Sequence, residues 1–402
     1  MDKVLCDVFA VICKMGTTKK SEFPDAFAKP RQATGLGYMN DQDDPVKMVM
    51  RLRDLRKCAH DWQTYSSAGE VGRTVVPSEA TIRDTRQIPF EVDPPEHRAY
   101  RQLVEGWFRR PMQPEYQSRL KEIVDEVVES MLDGHEFDVV SEFALYIQSR
   151  ALTVLLNSDY GESEVWIGWG THVFRSEGEA LDGDKAALLY DYIDKEIERA
   201  KKTPNGDLYS VLLESEIEGR KLTKEEIKGV MILTFAGGRD TVINTITNSI
   251  AYFAEHFDRL EMLRDNDILT TRAIEELIRY FSPLTQLARV ATEDTEVCGA
   301  AVPKDTRISL CYAAANRDET VFENPNEVQF DRKVNPHVAF GFSTHNCLGS
   351  AHARAIMKAV IASLLEKVGR IQLGDAQENI EELGEYRRKV GFNRLNAKFD
   401  PK

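Results

Sequence analysis

Apolar residues recur at spacings of three and four positions along most of the chain, which is the period of an amphipathic helix. The pattern predicts helices over residues 96–109, 115–132, 141–157, 186–202, 223–256, 267–281 and 347–366. Before the last of these the period changes, because TEVCGAAVPKDTRISLCY alternates β-branched residues around a Pro-Lys-Asp turn. That stretch predicts a small antiparallel hairpin or sheet. The expected fold class is mainly α with a small β part.

The chain lacks the sequence features that usually mark a domain boundary. It has no long low-complexity tract, no obvious repeat and no linker rich in proline, glycine and serine. Although a length of 402 residues would allow two or three domains, we expect a single domain over residues 1–402.

Charge and cysteine content limit the partners and the compartment. The net charge of −14 disfavours nucleic acid as a partner. The six cysteines, at positions 6, 13, 58, 298, 311 and 347, show no CxxC spacing of a zinc site or disulfide framework. The apolar start VLCDVFAVIC contains an aspartate and is shorter than the ~20 residues that cross a bilayer. We therefore expect a cytoplasmic protein with no membrane anchor.

The longest predicted helix contains an unusual polar and glycine-rich segment. It opens at Thr223 with TKEE, a capping-box pattern, and would extend for roughly 50 Å. In its middle, TFAGGRDTVIN, Gly237 and Gly238 each cost roughly 1 kcal/mol relative to alanine. They indicate close approach of another segment or local unwinding of the helix.

Helical spacing places Gly237, Asp240 and Thr241 on one side of this helix. The glycine would open a notch beside a carboxylate and a hydroxyl, which suits a small ligand. The alternative is tight helix packing with a solvated Asp240. Arg239 lies about 200° around the helix from Thr241, so we expect it to face away from the notch and assign it no catalytic role.

In AIEELIRYFSP, Glu276 and Arg279 are three residues apart on a predicted helix. This spacing permits a side-chain contact. Most isolated pairs of this kind are solvated ion pairs that contribute a few tenths of a kcal/mol. Alone, the pair does not indicate a function, and its interpretation depends on the other motifs of the chain.

These segments occur together in one family. In order, AGGRDT, EELIR, ANRD with FENPNEVQFDR, and FGFSTHNCLG, preceded by DPPEHRAYR, resemble the motifs of the cytochrome P450s, the haem-thiolate monooxygenases. The resemblance spans nearly the whole chain. It implies a single-domain P450 fold with haem b between the long central helix and the helix after Cys347. It also implies a structural role for Glu276 and Arg279.

Cys347 matches the haem-iron ligand of that family. A helix that begins just after Cys347 would direct its amide N–H groups at the sulfur and favour the thiolate that binds iron. The family loop reads Phe-x-x-Gly-x-x-x-Cys-x-Gly, and Ser343 here replaces the first glycine, which puts the local backbone in question. A rival interpretation makes Cys347 and His345 the nucleophile and base of a thiol hydrolase, but it leaves the other motifs unexplained.

The resemblance also implies the remaining haem contacts. His97, Arg101, Arg289 and His345 occupy the positions that hold the propionates, and Gly237 lies where O2 binds. The other histidines outside the motifs are expected to be structural or solvent-facing, and the other five cysteines structural. Those histidines are His60, His135, His172 and His256.

By resemblance, the hydroxyl of Thr241 hydrogen-bonds dioxygen and Asp240 passes protons from solvent. Electrons would come from NAD(P)H through a ferredoxin reductase and a ferredoxin, because no flavin or iron–sulfur segment is visible. A basic patch on the proximal face would steer the acidic carrier, the alternative being scattered surface cations. The residues of that patch are Arg109, Arg110, His352, Arg354 and Lys358.

The substrate pocket expected by resemblance mixes aromatic and hydrogen-bonding side chains, as a site for a small oxygenated molecule would. Its members are Arg86, Gln87, Phe90, Trp166, Trp169, Leu233, Ala236, Thr285 and Gln286. A sugar methyl ether is one candidate, since some bacterial relatives demethylate 6-O-methyl-D-galactose by hydroxylating its methyl carbon. Terpenoid or aromatic-acid hydroxylation is an equal alternative. A peroxide-driven peroxygenase and a haem-based sensor are further alternatives.

Overall fold

The computed structural model describes residues 23–176 and 180–402. The apolar start VLCDVFAVIC, with Cys6 and Cys13, lies outside the described residues. The α-helices of the described part are α1 (Ala28–Ala33), α2 (Leu52–His60), α3 (Glu96–Phe108), α4 (Pro114–Ser130), α5 (Leu145–Leu156), α6 (Glu162–Gly168), α7 (Gly183–Lys202), α8 (Leu208–Glu214), α9 (Lys224–Gly237), α10 (Asp240–Glu255), α11 (Phe257–Glu261), α12 (Asp267–Phe281), α13 (Tyr312–Ala315) and α14 (Ser350–Lys367).

The strands of the described part are mostly short. They are β1 (Leu36–Asp41), β2 (Asp44–Val49), β3 (Tyr65–Ser66), β4 (Phe137–Asp138), β5 (Glu216–Ile217), β6 (Arg220–Lys221), β7 (Gln286–Ala291), β8 (Thr295–Val297), β9 (Ala300–Val302), β10 (Arg307–Cys311), β11 (Val368–Leu383) and β12 (Tyr386–Pro401). Three further single turns or short helices are Arg110–Met112, Val139–Ala144 and Ser343–His345. The mainly α prediction with a small β part is confirmed.

The predicted helix over 223–256 is wrong as a continuous element. Thr223 caps α9 with the expected capping box, in which the Thr223 hydroxyl accepts from the Glu226 N–H and the Glu226 carboxylate accepts from the Thr223 N–H. The helix then stops at Gly237, and α10 starts at Asp240. Arg239 has φ −92° and ψ −81°, outside helical geometry. Local unwinding at the two glycines is therefore confirmed.

In the described residues, two larger sheets and two two-stranded sheets, β5-β6 and β8-β9, accompany the helices. The larger has the strand order β1-β2-β10-β7-β3, in which β2 and β10 run parallel and the other pairs antiparallel. The predicted hairpin is present as β8–β9, and the rest of that segment continues into β10. The second sheet, β11-β12-β4, is built on a hairpin of two 16-residue strands that the periodicity did not predict.

Helices α4, α5, α10, α12 and α14 enclose the largest apolar cluster, whose centre includes Leu120, Ile246, Leu277 and Leu364, all fully buried. A second cluster joins α3, α7, α8 and α9. The segment Val139–Leu156 is long and apolar enough to cross a bilayer, but 78% of it is buried inside the fold. We interpret it as a core helix.

Glu276 and Arg279 form a fully buried ion pair rather than a solvated one. Two hydrogen bonds, of 2.8 and 2.7 Å, join the guanidinium to the carboxylate. Arg332 donates to the same carboxylate at 3.0 Å. Arg279 also donates to three backbone oxygens, those of Asn316, Pro325 and Glu327. A buried charge with this many partners fixes the loop between α13 and α14 onto α12.

Candidate active site

A cavity of about 440 Å³ lies between the α9–α10 junction and the start of α14. Cys347 borders it on one side, and Gly237, Asp240 and Thr241 border it on the other. Apolar side chains supply much of the wall, among them Leu152, Leu155, Leu233, Phe340, Leu348 and Met357. The expected notch and the cysteine therefore face one shared space.

Arg239 holds the helix break in place. It is 1% exposed, and its guanidinium donates to the backbone oxygens of Trp166 and Gly170 at the end of α6, the latter at 2.7 Å. Burial lowers the pKa of Arg239 to about 10. Arg239 borders the cavity, but its guanidinium donates toward the end of α6, so its contacts give it an anchoring role.

The break frees backbone oxygens that side chains then satisfy. Thr241 Oγ1 donates to the oxygen of Gly237 at 3.2 Å, and Gln148 Nε2 donates to that of Gly238 at 3.3 Å. Because α10 starts after the break, Asp240 occupies its first turn, where the helix dipole favours a carboxylate. The break thus places an acid and an alcohol side by side at the cavity.

Close approach of another segment occurs at a different glycine. A Cβ on Gly237 would lie 3.6 Å from Cδ1 of Leu233, an ordinary van der Waals contact, so no other segment approaches this residue closely. A Cβ on Gly229, two turns earlier in α9, would lie 2.3 Å from the backbone oxygen of Arg86. Gly229 lets the segment before α3 pack against α9, and the predicted close approach at the paired glycines is wrong.

His172 was expected to be an ordinary structural or solvent-facing residue, and the structure corrects this. It borders the same cavity as Asp240. Burial lowers the pKa of His172, and the negative charge of Asp240 opposes that effect. His172 lies in a loop 68 positions before Asp240, and no periodic pattern in the sequence connects the two. It is a titratable group of the site that the motifs did not reveal.

The loop around Cys347 is held by backbone hydrogen bonds. The N–H of Cys347 donates to the oxygen of Phe340 at 2.7 Å. Burial raises the pKa of the Cys347 thiol, while the N–H groups of Gly349 and Ser350 and the charge of Arg101 act to lower it. The N–H groups at the start of α14 thus act toward the thiolate, as expected, and burial acts against it. A metal ion bound by Cys347 would add positive charge and favour deprotonation of the thiol.

Ser343 takes the backbone shape that a glycine would take. Its φ is +60°, in the left-handed region, and Gly341 has φ +74°. The loop keeps its conformation despite the serine, so the doubt about the local backbone is resolved in favour of the family geometry. A residue with a Cβ in that region is strained by about 1 kcal/mol, and Ser343 is strained in this way.

Three buried histidine nitrogens at the cavity wall, Nδ1 of His97 and both ring nitrogens of His345, have no hydrogen-bond partner in the described ranges. The Nδ1 atoms of His97 and His345 are buried and unpaired, and the two rings lie 4.6 Å apart. His345 Nε2 is 3.5 Å from Asp93, at the outer limit of a hydrogen bond. Burial lowers the pKa of His97 to about 4. Buried nitrogens of this kind call for an acceptor on a ligand.

Two arginines complete this group. Arg101 borders the cavity and donates to the backbone oxygen of Asn346 at 2.7 Å. Arg289 is 3% exposed, donates to its neighbour Ala288, and lies outside the cavity wall beside Tyr312. Together with the thiol and the apolar wall, the two histidines and Arg101 fit a largely apolar ligand that carries an anionic edge and a metal ion, with Arg289 behind the wall.

Six of the residues expected to contact substrate border the cavity: Gln87, Phe90, Leu233, Ala236, Thr285 and Gln286. Three others lie outside its wall. Arg86 donates to the backbone oxygen of Glu91 at 3.0 Å, and both tryptophans pack on Phe235 in the core, Trp166 at 5.3 Å and Trp169 at 5.5 Å between ring centroids. The structure therefore does not bring Arg86, Trp166 and Trp169 to the cavity wall, because hydrogen bonding and core packing hold them elsewhere.

The proposed basic patch is also corrected. His352 is 7% exposed and shares a 2.8 Å hydrogen bond with Tyr116, and burial lowers its pKa to about 4. Arg110 stacks on Trp107 at 4.1 Å. The other three cations are exposed but paired with acids, in the pairs Arg109–Glu105, Arg354–Glu275 and Lys358–Asp267. The five residues do not form an uncompensated basic surface.

Comparisons with known proteins agree with this geometry. A family model described as "Cytochrome P450" matches residues 182–383. The chain is 32% identical over 308 residues to "Biotin biosynthesis cytochrome P450" of Bacillus subtilis (strain 168), covering 75% of this chain and 76% of that protein. It is 27% identical over 368 residues to "Linalool 8-monooxygenase" of Pseudomonas putida, covering 87% and 89%.

One solved structure is much more similar in sequence. "The structure of a carbohydrate active P450" superposes with a TM-score of 0.93 and 61% identity, covering 96% of this chain and 100% of that chain. The structure of P450BioI with a ligated acyl carrier protein shares 26% identity and a TM-score of 0.79, covering 93% and 97%.

Proposed function

This chain belongs to the cytochrome P450 family and is a monooxygenase, and we propose that its substrate is a small oxygenated molecule. Within that class, we propose a methylated sugar as the first candidate. The observation that carries the proposal is the 61% identity to a structure described as a carbohydrate-active P450. The polar part of the cavity wall, which includes Gln87, Thr285 and Gln286, supports it. In the described residues the side-chain amide of Gln87 has no hydrogen-bond partner, so a purely apolar substrate would leave it unsatisfied.

We propose that Cys347 is the iron ligand of haem b and that His97, Arg101, Arg289 and His345 hold the propionates. The unpaired Nδ1 atoms of the two histidines support this assignment. When bound, haem supplies an iron centre that binds and activates O2. Gly237 leaves the space on the opposite side, since no atom lies within 3.6 Å of the position of a Cβ there.

Asp240 and Thr241 are the proposed proton-handling pair. The Thr241 hydroxyl, which donates to the backbone oxygen of Gly237, can turn to dioxygen in the cavity. Asp240 borders both the cavity and the polar loop that carries His172, so it can pass protons inward from that side.

For a sugar methyl ether, one atom of O2 enters a C–H bond of the methyl group. The other atom leaves as water after taking up two electrons and two protons. The resulting hemiacetal collapses to the free sugar hydroxyl and formaldehyde. We propose that NAD(P)H supplies the electrons through a ferredoxin reductase and a ferredoxin, and that the protein works in the cytoplasm.

The cofactor assignment is tested with the purified protein and its Cys347→Ser variant. The wild type should carry haem b, and its reduced CO complex should show the absorption of thiolate-ligated haem. The serine variant should lose that absorption while retaining its secondary structure by circular dichroism. A thiolate-type spectrum in Cys347→Ser would overturn the assignment of this residue.

The substrate is tested by measuring formaldehyde released per NAD(P)H consumed, with 6-O-methyl-D-galactose, ferredoxin and ferredoxin reductase. Linalool and an aromatic acid serve as comparison substrates, the former because of the linalool monooxygenase among the relatives. Faster product formation with hydrogen peroxide than with the electron-transfer proteins would favour a peroxygenase. Ligand binding with no turnover of any substrate would favour a sensor.

A further inference from the structure

A carboxylate from the long hairpin borders the substrate side of the cavity. Glu381 lies near the end of β11, and its side chain is 22% exposed. One carboxylate oxygen, Oε2, accepts a hydrogen bond from the Thr285 hydroxyl. Within the described ranges, no hydrogen bond reaches the other oxygen, Oε1. Glu381 therefore offers a free acceptor at the cavity wall.

Side chains behind Glu381 fix its orientation. Arg388 Nη1 donates to the Thr285 hydroxyl at 2.5 Å, so that hydroxyl must direct its own hydrogen to Glu381. Arg388 Nη2 donates to the backbone oxygens of Phe281 and Ser282, at 2.6 and 2.8 Å. The guanidinium is thus hydrogen-bonded to the end of α12. The hydrogen bonds from Arg388 to Thr285 and from Thr285 to Glu381 hold the carboxylate in one position.

Neutral polar groups border the same cavity. Asn379 is 7% exposed, lies two residues before Glu381 and is followed by a bulge in the β11–β12 pairing. Gln87 is 5% exposed and belongs to the segment that packs on α9. In the part of the chain that the structure describes, neither side-chain amide has a hydrogen-bond partner. Buried amides and an acceptor-only carboxylate together suit a ligand with several hydroxyl groups.

We propose that Glu381 is a specificity-determining residue that accepts hydrogen bonds from the hydroxyl groups of a neutral, polyhydroxylated substrate. This inference rests on the proposed function of the same cavity and adds the group that recognises the sugar. An ionised carboxylate makes stronger hydrogen bonds than a neutral acceptor. Its ion-pair partner Arg388, 3.9 Å away, lies outside the cavity wall, so the carboxylate of an aromatic acid in the cavity would face the like charge of Glu381 first. A terpenoid would leave the free oxygen without a partner.

The test compares wild type with Glu381→Gln, which keeps the shape of the side chain and the possibility of a bond from Thr285. Binding is measured as the haem spectral shift on titration with 6-O-methyl-D-galactose and, separately, with 4-methoxybenzoate. Loss of a charge-assisted hydrogen bond should weaken sugar binding by about tenfold or more. Removal of the negative charge should leave 4-methoxybenzoate binding equal or tighter.

Glu378→Gln is the matched control, because Glu378 lies on the same strand and pairs with Lys389 outside the cavity wall. It should bind the sugar as the wild type does. Thr285→Val removes the hydroxyl that donates to Glu381 and should also weaken sugar binding. Thr285→Ser keeps this hydroxyl and should bind the sugar as the wild type does. Thermal unfolding checks that each variant is folded.

The outcomes separate this inference from the substrate proposal. Wild-type affinity for the sugar in Glu381→Gln, with binding in wild type demonstrated, overturns the role of Glu381 alone. Absence of any spectral shift with the sugar in the wild type, in protein that carries haem, overturns the substrate proposal and the role of Glu381 with it. An equal loss in Glu378→Gln would show that general charge is responsible and would also overturn the role.

Discussion

The Nδ1 atom of His60 lies 3.0 Å from the Oγ of Ser343, the residue that stands where the family loop has a glycine. His60 is the last residue of α2. From the same helix, Arg56 stacks over Phe342 at 4.8 Å and donates to the backbone oxygen of Pro336 at 2.5 Å. Helix α2 therefore supports the cysteine loop from outside, and the serine hydroxyl adds a contact that a glycine lacks.

A double-mutant cycle tests this contact. His60→Ala should lower the free energy of unfolding by about 1 kcal/mol, the usual net value of a hydrogen bond. In a Ser343→Gly background the same substitution should have almost no effect, because the hydroxyl is already gone. Ser343→Gly alone should be nearly neutral, since relief of the left-handed strain offsets the lost bond. Additive effects of the two substitutions, measured by urea unfolding, would contradict the contact.

The buried network around Glu276 should dominate local stability. Glu276→Gln leaves Arg279 and Arg332 without a counter-charge, and we expect a loss of about 3–5 kcal/mol in the free energy of unfolding. Glu261→Gln is the matched control, because Glu261 pairs with Arg264 at the same three-residue spacing on the surface, where both side chains are more than a third exposed. It should change stability by less than about 0.5 kcal/mol. Equal effects in both variants would count against the network.

Thr241→Ala should separate oxygen activation from helix packing. We expect the variant to bind haem and substrate and to consume NAD(P)H, but to release hydrogen peroxide in place of much of the product. Ser249→Ala is the control, because Ser249 makes a similar hydroxyl-to-backbone bond of 2.7 Å in the same helix, away from the cavity. It should keep wild-type coupling. Asp240→Asn should instead slow NAD(P)H consumption and product formation together. Proton supply precedes the step that divides reduced oxygen between hydrogen peroxide and product.

Equal coupling in Thr241→Ala and wild type, measured as product formed per NAD(P)H, would remove the proposed role of the hydroxyl. A loss of coupling in Ser249→Ala of the same size would assign the effect to α10 as a whole rather than to the site.

The acid stability of the protein should depend in part on Glu226. Hydrogen bonds from Arg220, at 2.8 and 2.7 Å, are the main reason that the pKa of Glu226 falls from 4.5 to about 2. Because the folded-state pKa is below the unfolded one, this stabilisation is complete above pH 4.5 and is lost as pH falls toward 2. The difference in unfolding free energy between wild type and Glu226→Gln should shrink over that range.

The matched control for this pH series is Glu225→Gln, since Glu225 is exposed on the same first turn of α9. A difference between wild type and Glu226→Gln that stays constant from pH 6 to pH 2.5 would contradict the lowered pKa.

The sequence predicted those parts of the fold that depend on local periodicity. Helix α12 has the predicted bounds, and α3 and α4 differ by one or two residues at their ends, because apolar spacing within a helix is set by its own residues. The paired glycines indicated that the helix could unwind between α9 and α10, but the sequence did not show what holds the break in place. It depends on contacts of Arg239 with backbone oxygens 69 and 73 positions away in the sequence.

The sequence predicted the site residues that belong to motifs. It missed or misplaced the residues whose position depends on tertiary contacts. Cys347, Asp240 and Thr241 face one cavity as expected. Trp166 was misplaced because an aromatic residue near a cavity can pack either into it or into the core behind it. Glu381 was missed because β11 is polar along most of its length and interrupted by bulges, so it shows no regular alternation of apolar residues.

The sheet that joins β12 to β4 has a consequence for the order of folding. Ala397 pairs with Phe137, and the N–H of Leu395 donates to Asp138, 257 positions earlier in the chain. The β11–β12 hairpin closes through its own short turn, whereas its docking requires one of the longest loop closures in the molecule. The hairpin should therefore form early during refolding and dock late. A complete binding cavity, with Asn379 and Glu381 in its wall, is then among the last features to appear, and uptake of the cofactor should follow a slow kinetic phase.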